Sequence, residues 1–226
     1  MPDAPSSLSD TAEPLDVQSQ DTAAPSRKRP KPGERRVQIL HMLASMLEQP
    51  AGERITTAAL AARLEVSEAA LYRHFASKAQ MFEGLIEFIE QSVFTLINQI
   101  NAREDAAGGE SASVGKRQAA KVVAMLMQFA ERNPGMARVM VGDALVFENE
   151  RLQQRMNQFF DKVEAAFKQS LRAAPTTGSL TPTVDAQVGA GVLAAFVAGR
   201  LQRFVRSGFK RLPSEHLDAS LAVLLG

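Results

Sequence analysis

Residues 55–82 read ITTAALAARLEVSEAALYRHFASKAQMF, and the hydroxyl residues in this stretch decide the fold. Thr56 or Thr57 can cap a short helix whose Ala58, Leu60, Ala61 and Leu64 recur at helical steps and face inward. That helix stops near Glu65. Ser67 can cap a second short helix over residues 68–75. Ser77, with Gln80 in the capping-box position, can open a third that carries Met81, Leu85, Phe88 and Ile89 towards Asn101. Two short helices joined by a three-residue turn and packed on a preceding helix form a helix-turn-helix.

The preceding helix is legible from Glu34, because Val37, Leu40, Leu43, Ala44 and Leu47 follow at steps of three and four until Pro50-Ala51-Gly52 ends it. Downstream, the Gly-rich stretch AAGGESASVG (106–115) separates the third short-motif helix from one spanning about 116–132, which Asn133-Pro134-Gly135 stops. A short segment at 136–141, a long amphipathic helix over about 148–172, an apolar helix at 184–207 and a final helix opened by Pro213-Ser214 complete the pattern. No strand-like alternation and no Gly-rich phosphate loop occur. The sequence predicts an all-α protein of about nine helices, divided into a disordered arm (1–33), a helix-turn-helix module (34–80) and a helical C-terminal domain (81–226).

A helix that enters the major groove needs small residues at its start, so that its backbone can approach base edges, and polar groups around it to hold phosphates. Ser67, Ala69 and Ala70 meet the first need, beside Glu68. Thr56, Thr57, Tyr72, Arg73, His74 and Lys78 meet the second, and helix N-termini add backbone N–H groups. Leu71 and Phe75 sit four apart on the opposite face and anchor the helix to its own core.

Charge supports a polyanionic partner once it is divided along the chain. The whole chain is +1, yet residues 1–26 carry five acids and no base, and residues 27–36 carry six bases (Arg27, Lys28, Arg29, Lys31, Arg35, Arg36) against Glu34. The module from Glu34 to Lys78 is itself only +1, and Arg27, Lys28, Arg29 and Lys31 raise it to +5. The arm is therefore expected to supply much of the salt-dependent affinity for DNA.

Other function classes find little support. Adjacent Tyr72, Arg73 and His74 fan out by about 100° each on a helix and cannot converge on one reacting atom, so no enzyme is expected. The chain has no cysteine and three scattered histidines, which leaves no metal or cofactor site to assign. His41 is expected to be partly buried and His216 exposed. Phe159, Phe160, Met125, Met127, Met136, Met140 and Met156 read as core. The uncharged run from Ala186 to Gly199 is too short for a membrane span, and the first residues lack the order of a signal peptide, so a cytoplasmic protein is expected.

Residues 55–86, with Val66-Ser67 in the turn, Leu71-Tyr72 and Phe75, and Ser77-Lys78 at the next helix, resemble the DNA-binding module of TetR-type regulators. Glu65 stands where that family usually has a turn glycine, and Ala76 where it often has proline; the resemblance implies that Glu65 adopts a conformation glycine finds easy. MFEGLIEFIEQS (81–92), ERNPGMARVMVGDALVFENERLQQRMNQFF (131–160) and RFVRSGFK (203–210) narrow the similarity to the nucleoid occlusion branch of that family. The resemblance implies a homodimer on palindromic double-stranded DNA, with room for more than one dimer per site. It also implies contact with the tubulin-like division protein FtsZ, and so inhibition of FtsZ ring assembly and regulation of cell division at the nucleoid. The groove between the fourth and fifth helices, carried over by position, comprises Phe88, Met125, Gln128, Arg132 and Asn133; Gln128 replaces a small residue and Leu96 a basic one.

In VGAGVLAAFVAGRLQRF (188–204), Gly189, Ala190, Ala194, Ala198 and Gly199 leave little bulk and permit a close helix pair. The resemblance implies that this helix and the last one pair with their symmetry mates. The alternative function is a ligand-responsive repressor, which requires a cavity with convergent polar groups in the C-terminal half.

Overall fold

The structure is a computed structural model that describes residues 33–49, 55–146, 148–172 and 182–226. Among the described residues all regular structure is helical: α1 (Glu34–Leu47), α2 (Thr57–Arg63), α3 (Glu68–Tyr72), α4 (Lys78–Ala107), α5 (Ser111–Arg132), α6 (Pro134–Met140), α7 (Glu150–Leu171), α8 (Pro182–Arg206) and α9 (Leu217–Leu225), with a 3₁₀ turn at Asp143–Leu145. The expected disordered arm, apart from Gly33, and Pro50-Ala51-Gly52 lie outside the described residues.

The three capping hydroxyls sit where the sequence puts them. Thr56 Oγ1 accepts from the Ala59 N–H, Ser67 Oγ from Ala70 and Ser77 Oγ from Gln80, each satisfying a donor the first helical turn leaves without a partner. The Gln80 side chain reaches back to accept from the Ala76 N–H at 2.8 Å. Between α2 and α3 the Val66 N–H donates to the Ala61 carbonyl and the Glu65 N–H to that of Ala62, the paired bonds of a Schellman motif. Its left-handed position is Glu65, at φ 53°. A Cβ in that region costs about 1 kcal/mol or more relative to glycine.

Several boundaries differ from the sequence reading. α3 ends at Tyr72 rather than 75, since Phe75 must turn into the core before Ser77 opens α4. Val37 and Ala58 are exposed: α1 buries Ile39, Leu40, Leu43, Ala44 and Leu47, whose centre lies about a quarter turn away from Val37. α5 begins at Ser111, five residues earlier than expected. α9 begins at Leu217, after a turn in which the Ser214 N–H donates to Glu131. His41 is exposed, its ring edge-on to Phe88 at 5.8 Å.

α4 runs through the expected division at residue 80, so the two halves share a helix. α1 also packs on α6, closely enough that a Cβ at Gly135 would fall 1.9 Å from the Ala44 carbonyl oxygen. Arg138 of α6 donates to the Leu47 carbonyl at 3.2 Å. Around α4, α5, α7 and α8 the core buries Phe82, Leu126, Met127, Met156, Phe159, Val163, Phe167, Val197 and Phe204, each contributing roughly 1.5–3 kcal/mol. Phe160 and Met125 are only half-buried. By length and composition alone α8 could cross a membrane over Asp185–Arg206 (mean hydropathy 1.3), which the shorter uncharged run did not suggest. Its inner face, Ala186, Ala190, Leu193, Val197, Leu201 and Phe204, is instead core.

Candidate nucleic-acid interface

α3 presents Glu68 and Ala69 at its exposed N-terminal end, with Ala70 half-buried, while Leu71 and Phe75, each 1% exposed, hold its inner face. The helix is thus carried on an apolar anchor with its small residues outward. Around it Thr56, Thr57 and Ser67 gather from the N-terminal ends of α2 and α3, and Tyr72, Arg73 and His74 from the C-terminal end of α3.

These side chains form a short polar chain. Thr57 Oγ1 donates to Glu68 Oε2 at 2.6 Å, and the Tyr72 hydroxyl lies 3.5 Å from Thr57 Oγ1, at the long limit of a hydrogen bond. Tyr72 is 46% exposed. Its hydroxyl can exchange that long bond for a bond to another acceptor. Thr56 and Ser67 spend their oxygens as helix caps, so what they offer outward is the hydroxyl hydrogen. Lys78 differs: its ammonium is paired with Glu148 and lies 5.7 Å from the centre of the Phe82 ring. Sequence spacing could not show that partner, which stands 70 residues away. Arg27, Lys28, Arg29 and Lys31 lie outside the described residues.

Sequence reasoning left Arg36 out of this site. The structure carries its guanidinium from α1 to the end of α3, where it donates to the His74 carbonyl at 2.9 Å and covers the Phe75 ring at 4.1 Å. Its place three and four residues before Ile39 and Leu40, on the inward stripe of α1, was the available signal.

Four of the groove positions lie on α4 and α5, which pack together, and Asn133 joins α5 to α6. Phe88 and Met125 are half-buried, Gln128 and Arg132 exposed, and Asn133 donates its side-chain amide to the Phe129 carbonyl at 2.8 Å. Leu96 is also exposed on α4.

Two of the five small residues assigned to a helix pair do not face outward. Ala190 is fully buried in the chain's own core, and a Cβ at Gly189 would meet Leu171 Cδ1 of α7 at 3.1 Å. Ala194 is half-buried. The exposed apolar stripe of α8 is Val188 (53%), Val192 (46%), Ala195, Ala198 and Gly199, at the steps of one helix face. Val223 of α9 is exposed as well.

A cleft of about 790 Å³ separates the α6–α7 connection from the end of α8 and is lined by Arg138, Asp143, Gln153, Gln202, Arg206 and Phe209. It opens to solvent, and its Arg138 guanidinium is already engaged with Asp143 at 2.7 Å.

Residues 43–85 match the family described as bacterial regulatory proteins, tetR family. Residues 117–225 match the tetracyclin repressor-like C-terminal domain of SlmA-like type. The chain is 48% identical over 190 residues to nucleoid occlusion factor SlmA of Idiomarina loihiensis, covering 84% of this chain and 93% of that protein. It is also 48% identical over 202 residues to that of Colwellia psychrerythraea, covering 89% and 98%. Among solved structures it resembles the transcriptional regulator FadR of Bacillus subtilis in complex with stearoyl-CoA, with TM-score 0.63, 12% identity, and coverage of 84% of this chain and 97% of that one. At that identity the likeness concerns the fold.

Proposed function

The chain belongs to the SlmA family of TetR-fold nucleoid occlusion factors, and we propose on that premise that it acts as a dimer bound to palindromic chromosomal sites, where it restrains FtsZ assembly. The observation that carries this reading is the extent of the similarity: it runs through the helix-turn-helix and the C-terminal domain alike. The geometry supports the DNA-binding half. α3 offers small residues and a weakly bonded, exposed Tyr72 hydroxyl outward from a buried Leu71–Phe75 anchor, the arrangement a groove-reading helix needs.

The dimer uses the outer stripe of α8, Val188, Val192, Ala195, Ala198 and Gly199, together with α9. Left exposed, that stripe is an apolar surface of the kind that marks an association site. Two protomers then present two α3 helices to successive major grooves, which demands a palindrome. In the cell the protein sits on the nucleoid, in the cytoplasm. Phe88, Met125, Gln128, Arg132 and Asn133 form the surface for FtsZ, with Arg132 as its exposed cation.

The test is assembly of purified FtsZ with GTP, followed by sedimentation, with the protein alone and with a palindromic duplex that it binds. Inhibition is expected with the duplex, and Arg132→Asp should lose it while binding the duplex like the parent chain. Full inhibition by the Arg132 variant would move the partner surface elsewhere, and FtsZ unaffected by the DNA-bound parent protein would remove FtsZ from the account.

A further inference from the structure

We propose that Arg36 is a positioning residue, which clamps the end of α3 so that the helix meets DNA at a fixed tilt, and is not a phosphate contact of the basic arm. The proposal rests on the DNA-binding reading above. α3 spans five residues, far too few to hold a helix by its own hydrogen bonds. Its orientation must come from neighbours. At its N-terminal end the Ser67 cap closes its first turn and the Thr57–Glu68 bond ties it to α2.

At the other end the chain leaves the helix through Arg73, His74 and Phe75, and only the bonds from the His74 and Phe75 N–H groups to the Leu71 carbonyl are local. The following carbonyls need another donor. Arg36 supplies one to His74 O at 2.9 Å and brings a positive charge to the negative end of the helix. The Cζ of the same guanidinium lies over the Phe75 ring, 4.1 Å from its centre. Beneath that ring α4 passes so closely that a Cβ on Gly84 would stand 3.1 Å from Phe75 Cε1. The ring is thus held between α4 and Arg36. A planar cation donates along its edge and stacks with its face at once. Lysine can do either, not both.

The test compares the full chain with Arg36→Lys and Arg36→Met in two measurements. In the free protein, amide exchange at His74 and Phe75 should quicken about tenfold or more in both variants, with α4 unchanged. On DNA, both variants should lose about tenfold in affinity for a palindromic duplex. Affinity for a scrambled duplex and the slope of log K against log salt should stay as in the parent. Unchanged exchange would overturn the proposal. So would an Arg36→Lys protein that binds like the parent, beside an Arg36→Met protein weakened equally on both duplexes with a slope shallower by about 0.9 per protomer, the signature of a phosphate contact. A parent chain that prefers no palindrome would instead sink the DNA-binding reading, and the exchange measurement would still decide whether Arg36 is a clamp.

Discussion

Lys78, the first residue of α4, pairs its ammonium with the carboxylate of Glu148, two residues ahead of α7. Both side chains are largely sheltered, and the pair links the helix-turn-helix to the C-terminal domain. A lysine held this way must leave its carboxylate, or share it, to meet a phosphate.

Glu148→Gln should therefore bind DNA a few-fold more tightly, with a salt slope steeper by about 0.9 per protomer. Losing the partly buried pair should lower the unfolding free energy by about 1 kcal/mol. Anisotropy titrations across a salt series and urea unfolding measure the two effects. An unaltered slope would mean that Lys78 does not reach the backbone.

Tyr72 offers a sharper probe, because its ring is half exposed and its hydroxyl is barely engaged by Thr57. Tyr72→Phe should weaken binding by up to about tenfold on specific and unrelated duplexes alike. Stability should stay within about 0.5 kcal/mol and the salt slope should not move, since no charge is lost. A change confined to one DNA sequence would assign the hydroxyl to a base.

Val192→Asp places a charge in the middle of the exposed α8 stripe. Sedimentation equilibrium should show a monomer that keeps its helical content, and affinity for a palindrome should fall by about tenfold or more as the second half-site is lost. A stable dimer would shift the interface away from this face.

Glu104 gives a pH test of the C-terminal domain. Its carboxylate is buried, accepts from Lys121 and from Arg117 Nε at 2.9 Å, and these bonds hold its pKa below the ordinary 4.5. A folded-state value below the unfolded one stabilises the protein above about pH 4.5, and that contribution disappears as pH falls through the lower folded value. Glu104→Gln should thus be less stable than the parent at pH 7, and the gap in urea unfolding should narrow towards pH 3. A gap independent of pH would show that the ion pair contributes nothing beyond packing.

The parts of this molecule that were legible in the sequence are those set by local chemistry. Thr56 or Thr57, Ser67 and Ser77 marked three helix starts because a hydroxyl before an apolar run has one common use, and the structure selects Thr56 for the first. Glu65 at φ 53° followed instead from the family resemblance, which sets it where the turn glycine usually stands. What stayed hidden depends on neighbours distant in sequence. Gly115 reads as a break but lies inside α5, where a Cβ would fall 2.0 Å from the Ser170 carbonyl of α7. Ala190 and Gly189 read as a dimer contact but Ala190 is buried in the chain's own core and Gly189 lies against Leu171 of α7, because small residues permit close approach without saying to which helix. Arg36 and Lys78 both read as cations for a polyanion, and only folding reveals that one caps α3 and the other is paired with Glu148.

Chromatin immunoprecipitation with sequencing in the protein's own cells separates nucleoid occlusion from repression of a single operon. Many palindromic sites spread along the chromosome and sparse near the replication terminus are expected, as occlusion of division over the nucleoid requires. One or two sites beside a single operon would contradict it and point to a ligand-responsive repressor.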